Sequence, residues 1–383
     1  MSFETLSVEQ LRNRQGTKWR HFDDDVLCAW IADMDFPVAK PLQQCHEAAL
    51  DRQEFGYPIK ADTDPLAEVC AERMRQRYSW TPRADLINVM TDVVQGLYVA
   101  VDRFTQPGDG VLIQTPIYHP FLHLVRDLDR RLVSNPLMYS KQGWQLDIEH
   151  LSASIDADTR VLLFCNPHNP SGRVWTRNEL EAIAELVIRH NLIVFSDEIH
   201  SDLTYPGHQH IPFASLSPEL ESRTITFTSA SKTYNIAGVR CALAIFGSPE
   251  LKQQFDVFPK RFMGGMGAGA TEFTRVAWSE CAEWHTQLMT YLDSNRKFIG
   301  DFISSHMPSV QYIEPQSTYL AWLDFNNTSL DEDPYTFFLR EAKVALSPGP
   351  QFGDPGQGCA RLNFATDQKI LREILQRMSN AMS

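Results

Sequence analysis

The chain has seven cysteines but no C-x-x-C pair. An odd count without paired spacing argues against a disulfide framework. Cys165 and Cys241 lie in apolar runs and read as buried thiols, which fits a reducing cytosol. No run of about eighteen apolar residues is present, so no membrane-spanning helix is expected. The opening Met1-Ser2-Phe3-Glu4-Thr5 lacks the basic and apolar regions of a signal peptide, and a cytoplasmic location is expected. Positive charge is scarce: 35 Lys and Arg stand against 48 Asp and Glu, for a formal net charge of −13. Such a chain repels phosphate backbones, and no basic patch offsets this, so nucleic-acid binding is not expected. Repeats, low-complexity tracts and long linkers are missing too. His119 and His123 have i,i+4 spacing, but Pro120 lies between them and no acidic or cysteine partner accompanies them. His208 and His210 flank Gln209 in a polar stretch. Neither pair predicts a metal site.

What is present is a globular composition, 43% hydrophobic and 22% charged over 383 residues. That length suits one large α/β domain with a smaller companion. Candidate strands are 86–90, 110–114, 132–137, 161–165, 192–196, 224–228 and 241–246. Their near-continuous apolar character predicts a sheet covered on both faces. Amphipathic helices lie between them. The clearest runs from about Arg177 to His190, opened by a Thr176/Glu179 capping box, with Leu180, Ile183, Ala184 and Val187 on one apolar face. This alternation predicts an α/β fold with a mostly parallel sheet and helices on both faces. After Gly267 the pattern changes. A long helical stretch runs from Thr271 to about Phe302, followed by strand-like runs at 319–325 and 361–365 and a last helix from about Asp367 to Met382. We expect a large domain over residues 45–280 and a smaller α+β domain built from 1–44 and 281–383.

In an open parallel sheet, ligands bind beyond the carboxyl ends of the strands. Polar clusters follow four candidate strands: Thr115-Pro116-Ile117-Tyr118, Asn166 to Gly172, Asp197-Glu198-Ile199-His200, and Ser229-Ala230-Ser231-Lys232. Lys232 is the most informative residue. Its amine can condense with an aldehyde cofactor, and lysine is the usual anchor of pyridoxal phosphate. Ser229 and Ser231 can hold a phosphate beside it. Asp197, closing an apolar strand, is the candidate partner for a pyridine nitrogen, because a carboxylate there favours the protonated ring. The plainer reading of Asp197 is a helix cap or loop acid. Asn169 can donate to a ring oxygen or simply form a turn beside Pro170. His200 can add a donor or pack as a core histidine. Tyr118 offers a face for ring stacking or serves as an ordinary tyrosine. Gln95-Gly96-Leu97 precedes the helical run Tyr98–Phe104 and can form an anion-binding helix N-terminus, or Gly96 can merely ease chain entry. Arg240, eight residues after Lys232, can pair with the same phosphate or lie on the surface.

Together these residues resemble a fold-type I pyridoxal-phosphate enzyme of the aminotransferase class I and II superfamily. Asn166-Pro167-His168-Asn169-Pro170-Ser171-Gly172, Ser196-Asp197-Glu198-Ile199-His200 and Ser229-Ala230-Ser231-Lys232-Thr233 follow its order and spacing. Trp30-Ile31-Ala32-Asp33-Met34-Asp35-Phe36-Pro37 is similar to the MalY/PatB group of cystathionine β-lyases, also called cysteine-S-conjugate β-lyases. Phe55-Gly56-Tyr57-Pro58 and Arg361-Leu362-Asn363-Phe364-Ala365 fit that group as well.

The resemblance implies the roles. Lys232 holds the cofactor and later moves the Cα proton. Asp197 pairs with the ring nitrogen, Asn169 and His200 face the ring oxygen, and Tyr118 stacks on the ring. Gly96, Leu97, Ser229, Ser231 and Arg240 surround the phosphate. Tyr57 reaches across from a second subunit, which implies a homodimer, and borders the substrate with Tyr118. Arg361 clamps the substrate α-carboxylate through a bidentate fork. The implied reaction is α,β-elimination of L-cystathionine or a related cysteine S-conjugate to a thiol, pyruvate and ammonia. Arg240 matches a phosphate-binding arginine of the superfamily's aminotransferases, so amine transfer is the nearest rival. A rival from another class is a regulatory protein that binds a transcription factor, since members of the group act on such factors.

Overall fold

The computed structural model describes residues 3–59, 63–140 and 143–383. Seven apolar runs pair into one sheet: β1 (Ile87–Met90), β2 (Gly110–Thr115), β3 (Arg131–Pro136), β4 (Thr159–Cys165), β5 (Ile193–Asp197), β6 (Thr224–Thr228) and β7 (Ala242–Phe246). Their spatial order is β1-β7-β6-β5-β4-β2-β3. Strands β6, β5, β4, β2 and β3 pair in parallel, while β7 runs antiparallel to both its neighbours. Side chains alternate across the sheet. Val161 and Leu163 join one apolar cluster and Leu162 and Phe164 another, so both faces are dry.

Helices cover those faces. Leu97, from the Val93–Phe104 helix, and Phe121 and Leu124, from the His119–Asp127 helix, pack on the first face. The Arg177–Arg189 helix starts at the expected Thr176/Glu179 capping box and packs Leu180, Ile183 and Val187 on the second. Truncating one such leucine to alanine costs roughly 2–5 kcal/mol.

The stretch expected as one helix from Thr271 is two, Ala270–Glu280 and Ala282–His306. At Cys281 a ψ of 21° takes the chain out of the helical basin. A second, antiparallel sheet holds β8 (Gln311–Tyr312), β9 (Leu320–Asp324), β10 (Ser347–Pro348) and β11 (Cys359–Asn363), in the order β8-β9-β11-β10. Leu288, Leu292 and Ile299 of the long helix and Leu371, Ile374 and Leu375 of the Gln368–Ala381 helix share its core.

The N-terminal segment belongs to that same core through Leu11, Trp19, Met34 and Phe36. It adds a short parallel pairing, Leu27–Cys28 with Val344–Ala345. A buried ion pair fixes it: Lys18 Nζ lies 2.9 Å from Asp35 Oδ2, and Trp19 Nε1 donates to Asp35 Oδ1 at 2.7 Å. Each charge is thus paired and hydrogen-bonded, which a buried ion needs. The Lys40–Asp51 helix instead lays Leu42 in a cluster with Ala270 and Ala277. Because β2, β4, β5 and β6 run parallel, the four polar clusters that follow them emerge on one rim of the sheet.

Candidate active site

A cavity of about 710 Å³ opens at that rim. Lys232, Asp197, His200, Asn169, Tyr118, Ser229, Ser231, Arg240 and Arg361 all line it. Segments far apart in the chain meet there: Arg361 Nη1, on the second sheet, donates to Asn169 Oδ1 at 3.0 Å across 192 residues.

The sheet contributes the first group. Asp197 ends β5, where burial pushes its carboxyl up to about 7. Its Oδ1 accepts the Ile199 N–H at 3.1 Å. His200 is buried and held neutral, its pKa driven down to about 3 chiefly by desolvation, and its Nδ1 has no hydrogen-bond partner among the described residues. Lys232 is also desolvated, which lowers its pKa and favours the free amine. Its Nζ donates to the Ala32 carbonyl at 3.1 Å, and Tyr319 Oη donates to the same oxygen at 3.0 Å. Ser229 Oγ donates to Cys241 O at 2.6 Å and accepts the Ser231 N–H at 3.0 Å, which fixes the loop before Lys232.

Gly96 and Leu97 are not at the cavity. The helix begins at Val93, capped by Asp92, whose side chain accepts the Gln95 N–H. Gly96 therefore lies inside the helix, packed on the sheet. A Cβ there would sit 2.6 Å from Met90 Sδ and 2.7 Å from Phe227 Cε1, so close packing demands the glycine. Leu97 is fully buried in the core beneath. Thr91, Asp92, Val93 and Val94 line the cavity in their place. Val93 and Val94 begin a twelve-residue helix whose first N–H groups suit an anion. Arg240 joins them by pairing with Asp92 at 2.5 Å. Tyr57 lies outside this chain's cavity and is fully exposed. His119 lines the cavity as a neutral ring, lowered to about 4 by burial. His210 is buried against Glu198 at 2.8 Å, away from His208, which is exposed.

The N-terminal segment and the C-terminal region contribute the second group. Arg361 is buried on β11 with no carboxylate partner among the described residues. Its Nη2 donates to the Trp30 carbonyl at 3.2 Å and to Ser347 Oγ at 3.1 Å, and its guanidinium lies 4.8 Å from the Phe352 ring centroid. Burial lowers its pKa to about 10, so it keeps its charge at neutral pH. Asn363 Nδ2 donates to the carbonyls of Ile31 and Asp33 at 2.7 Å each, and Asn235 binds Met34 and Phe36. These amides hold the Trp30–Pro37 segment over the cavity. Sequence reasoning singled out neither Asn235 nor Tyr319, and it assigned that segment no contact.

The donor set fits pyridoxal phosphate. A buried carboxyl at the cavity needs a cationic partner, a neutral histidine has an orphaned nitrogen, and a helix N-terminus with Arg240 and two serines can hold an anion. A buried guanidinium remains for a second carboxylate. This is the layout of an enzyme that works on an amino acid through a phosphorylated aldehyde.

The sequence profile of aminotransferase class I and II matches residues 40–378, and the chain belongs to that family. Cystathionine beta-lyase PatB of Bacillus subtilis (strain 168) is 35% identical over 383 aligned residues, 98% of each chain. Cystalysin from Treponema denticola, whose crystal structure contains pyridoxal 5′-phosphate, superposes with a TM-score of 0.93 at 30% identity, covering 100% of this chain and 99% of its own. The pyridoxal-phosphate-bound C-S lyase from Staphylococcus hominis gives 0.90 at 26% identity, with 97% and 96% covered. The cofactor is pyridoxal 5′-phosphate, and the chain is a carbon–sulfur lyase dependent on it.

Proposed function

We propose that the enzyme catalyses α,β-elimination of L-cystathionine or a related cysteine S-conjugate. R–S–CH₂–CH(NH₃⁺)–COO⁻ and water give R–SH, pyruvate and ammonium. The observation that carries this reading is Arg361, a buried cation with no carboxylate partner among the described residues, in one cavity with Lys232. Its fork binds the substrate α-carboxylate by charge-assisted hydrogen bonds. Asn169 and Ser347 hold that fork in place. Lys232 would carry the cofactor; Asn169 and His200 would face its ring oxygen, and Tyr118 would flank the ring. Ser229, Ser231, Arg240 and the N-terminus of the Val93–Phe104 helix would take its phosphate. When bound, pyridoxal phosphate supplies an electron sink, with Asp197 favouring its protonated ring nitrogen.

Lys232 does the proton work. Burial favours its neutral amine, which takes the Cα proton as the bond to sulfur weakens. The Ala32 carbonyl, also bonded by Tyr319, gives the resulting ammonium an acceptor. Amine transfer would use the same residues, but the lyase names of close relatives favour elimination. The test is purified enzyme with L-cystathionine and no keto acid. Pyruvate, ammonia and thiol should appear in equal amounts. Amine transfer to an added keto acid faster than thiol release would replace the lyase reading.

The same reading includes a cytoplasmic homodimer with shared sites. All seven cysteines are buried free thiols, which suits a reducing compartment. Phe55, Tyr57 and Ile59 form an exposed apolar run that a second copy would cover. Mixing inactive Lys232→Ala chains with Tyr57→Ala chains should restore part of the activity in hybrid dimers. No recovery after confirmed subunit exchange would mean that each chain completes its own site. The division into 45–280 and 1–44 with 281–383 is likewise part of this reading, supported by the separate apolar core of the second sheet.

A further inference from the structure

The charged side chains that line the cavity, among the described residues, are Asp92, Asp197, Lys232, Arg240 and Arg361. Each has a task in the reading above or a partner. Asp197 serves the ring nitrogen, Lys232 the aldehyde, and Arg361 the substrate α-carboxylate. Asp92 and Arg240 pair with each other at the phosphate end. No carboxylate and no lysine or arginine is left for the far end of a substrate side chain.

What remains of the lining on the Arg361 side is aromatic, aliphatic or amide. It comes from His21, Phe22, Trp30, Tyr335, Leu346 and Gln351. The first three form one aromatic cluster. The His21 and Trp30 ring centroids lie 5.0 Å apart at 34°, and Phe22 meets Trp30 edge-on at 5.5 Å and 83°. Trp30 is fixed at both ends: its Nε1 donates to Lys18 O at 3.0 Å, and its carbonyl accepts from Arg361. The residue that holds the carboxylate clamp therefore also presents the apolar wall. A substrate clamped at Arg361 must send its sulfur substituent along these rings.

We infer that this wall selects cysteine S-conjugates whose leaving thiol bears an uncharged aromatic or bulky apolar group, rather than a second amino-acid end. This rests on the lyase reading above and narrows it. Desolvating the distal ammonium and carboxylate of cystathionine without partners is unfavourable, whereas a ring gains both burial and stacking. The discrimination belongs in binding, because the wall touches the substituent and not the reacting atoms.

The test compares S-benzyl-L-cysteine with L-cystathionine, whose leaving thiols are of similar acidity. Turnover by the loaded wild-type enzyme should favour the benzyl conjugate at least tenfold in kcat/KM, mostly through KM. Calorimetric binding to the loaded Lys232→Ala protein, which does not turn over, should show the same order. Tyr335→Ala and Phe22→Leu should each shrink the ratio severalfold and leave cystathionine nearly unchanged. Equal or reversed binding of the two compounds would overturn the inference, as would wall variants that hurt both alike. If the benzyl conjugate binds better yet neither compound releases thiol, the lyase reading falls and the wall's preference stands.

Discussion

The two sides of the cavity are built on opposite principles. The sheet side crowds Asp197, Lys232 and His200 together at the rim, where desolvation shifts the ordinary protonation of all three, with the Asp92–Arg240 pair at its outer edge. The other side offers one charge, Arg361, cushioned by neutral oxygens and an aromatic ring. A cofactor has a fixed set of charges, so the side that receives it matches them one by one. Amino-acid substrates share a carboxylate and differ beyond it, so their side provides one guanidinium and an aromatic wall. Substitutions on the first side, and at Arg361, should therefore damage every substrate alike, and those in the wall of the second side should discriminate.

The largest effect is expected at Lys232. Lys232→Ala should abolish the borohydride-reducible cofactor link and lower turnover of any substrate by at least about a thousandfold, since acid–base and covalent roles are lost together. Far-ultraviolet circular dichroism should stay unchanged. A reduced adduct found on another lysine would break the assignment.

Asp197→Asn comes next. It keeps the shape and removes the charge, and turnover should fall by roughly two to three orders of magnitude, again for all substrates. Near-normal turnover would show that the ring nitrogen needs no carboxylate here.

On the substrate side, Arg361→Lys should lower kcat/KM roughly ten- to a hundredfold, because one ammonium cannot reproduce the fork. Cofactor retention, read from absorbance after dialysis, should barely change. Loss of cofactor along with activity would blur the two sides into one.

The smallest effect is on stability. In the apoprotein the Asp197 carboxyl sits near 7, against about 3.9 when unfolded. Between those values the folded chain holds a proton that the unfolded chain has released. Stability therefore falls as pH rises through the window, by up to about 1.4 kcal/mol per pH unit from this group, and levels off above it. Denaturant midpoints of the apoprotein from pH 4.5 to 8 should show this fall, and Asp197→Asn should flatten it. An unchanged slope in the variant would assign the titration to another group.

The sheet side is legible in the amino-acid sequence because its information is local. Asp197 closes β5, and Lys232 follows β6 by four residues. A strand of apolar residues that ends in a polar cluster states both the element and the rim. Gly96 misleads for a local reason too. Glycine commonly breaks helices, and nothing in the sequence says that Met90 and Phe227 will press on this one. The aromatic wall and the support of Arg361 leave no such trace. Trp30 and Arg361 are 331 residues apart, and Ile31 and Asn363 are 332 apart. Their contacts are single hydrogen bonds from side chains to backbone carbonyls, and any carbonyl in the chain offers the same chemistry.

The sequence by itself determined the alternation of strands and helices, the parallel rim and most of the polar residues that line the cavity there, since hydrophobic periodicity and strand-end placement are properties of short segments. Only the tertiary structure decided where the N-terminal segment lies. Its buried Lys18–Asp35 pair, its pairing with Val344–Ala345 and the amides of Asn235 and Asn363 set Ala32 against Lys232 and Trp30 against Arg361. Those contacts form only when both ends of the chain have packed into one core, and so the part of the site that faces the substrate is visible only in the folded molecule.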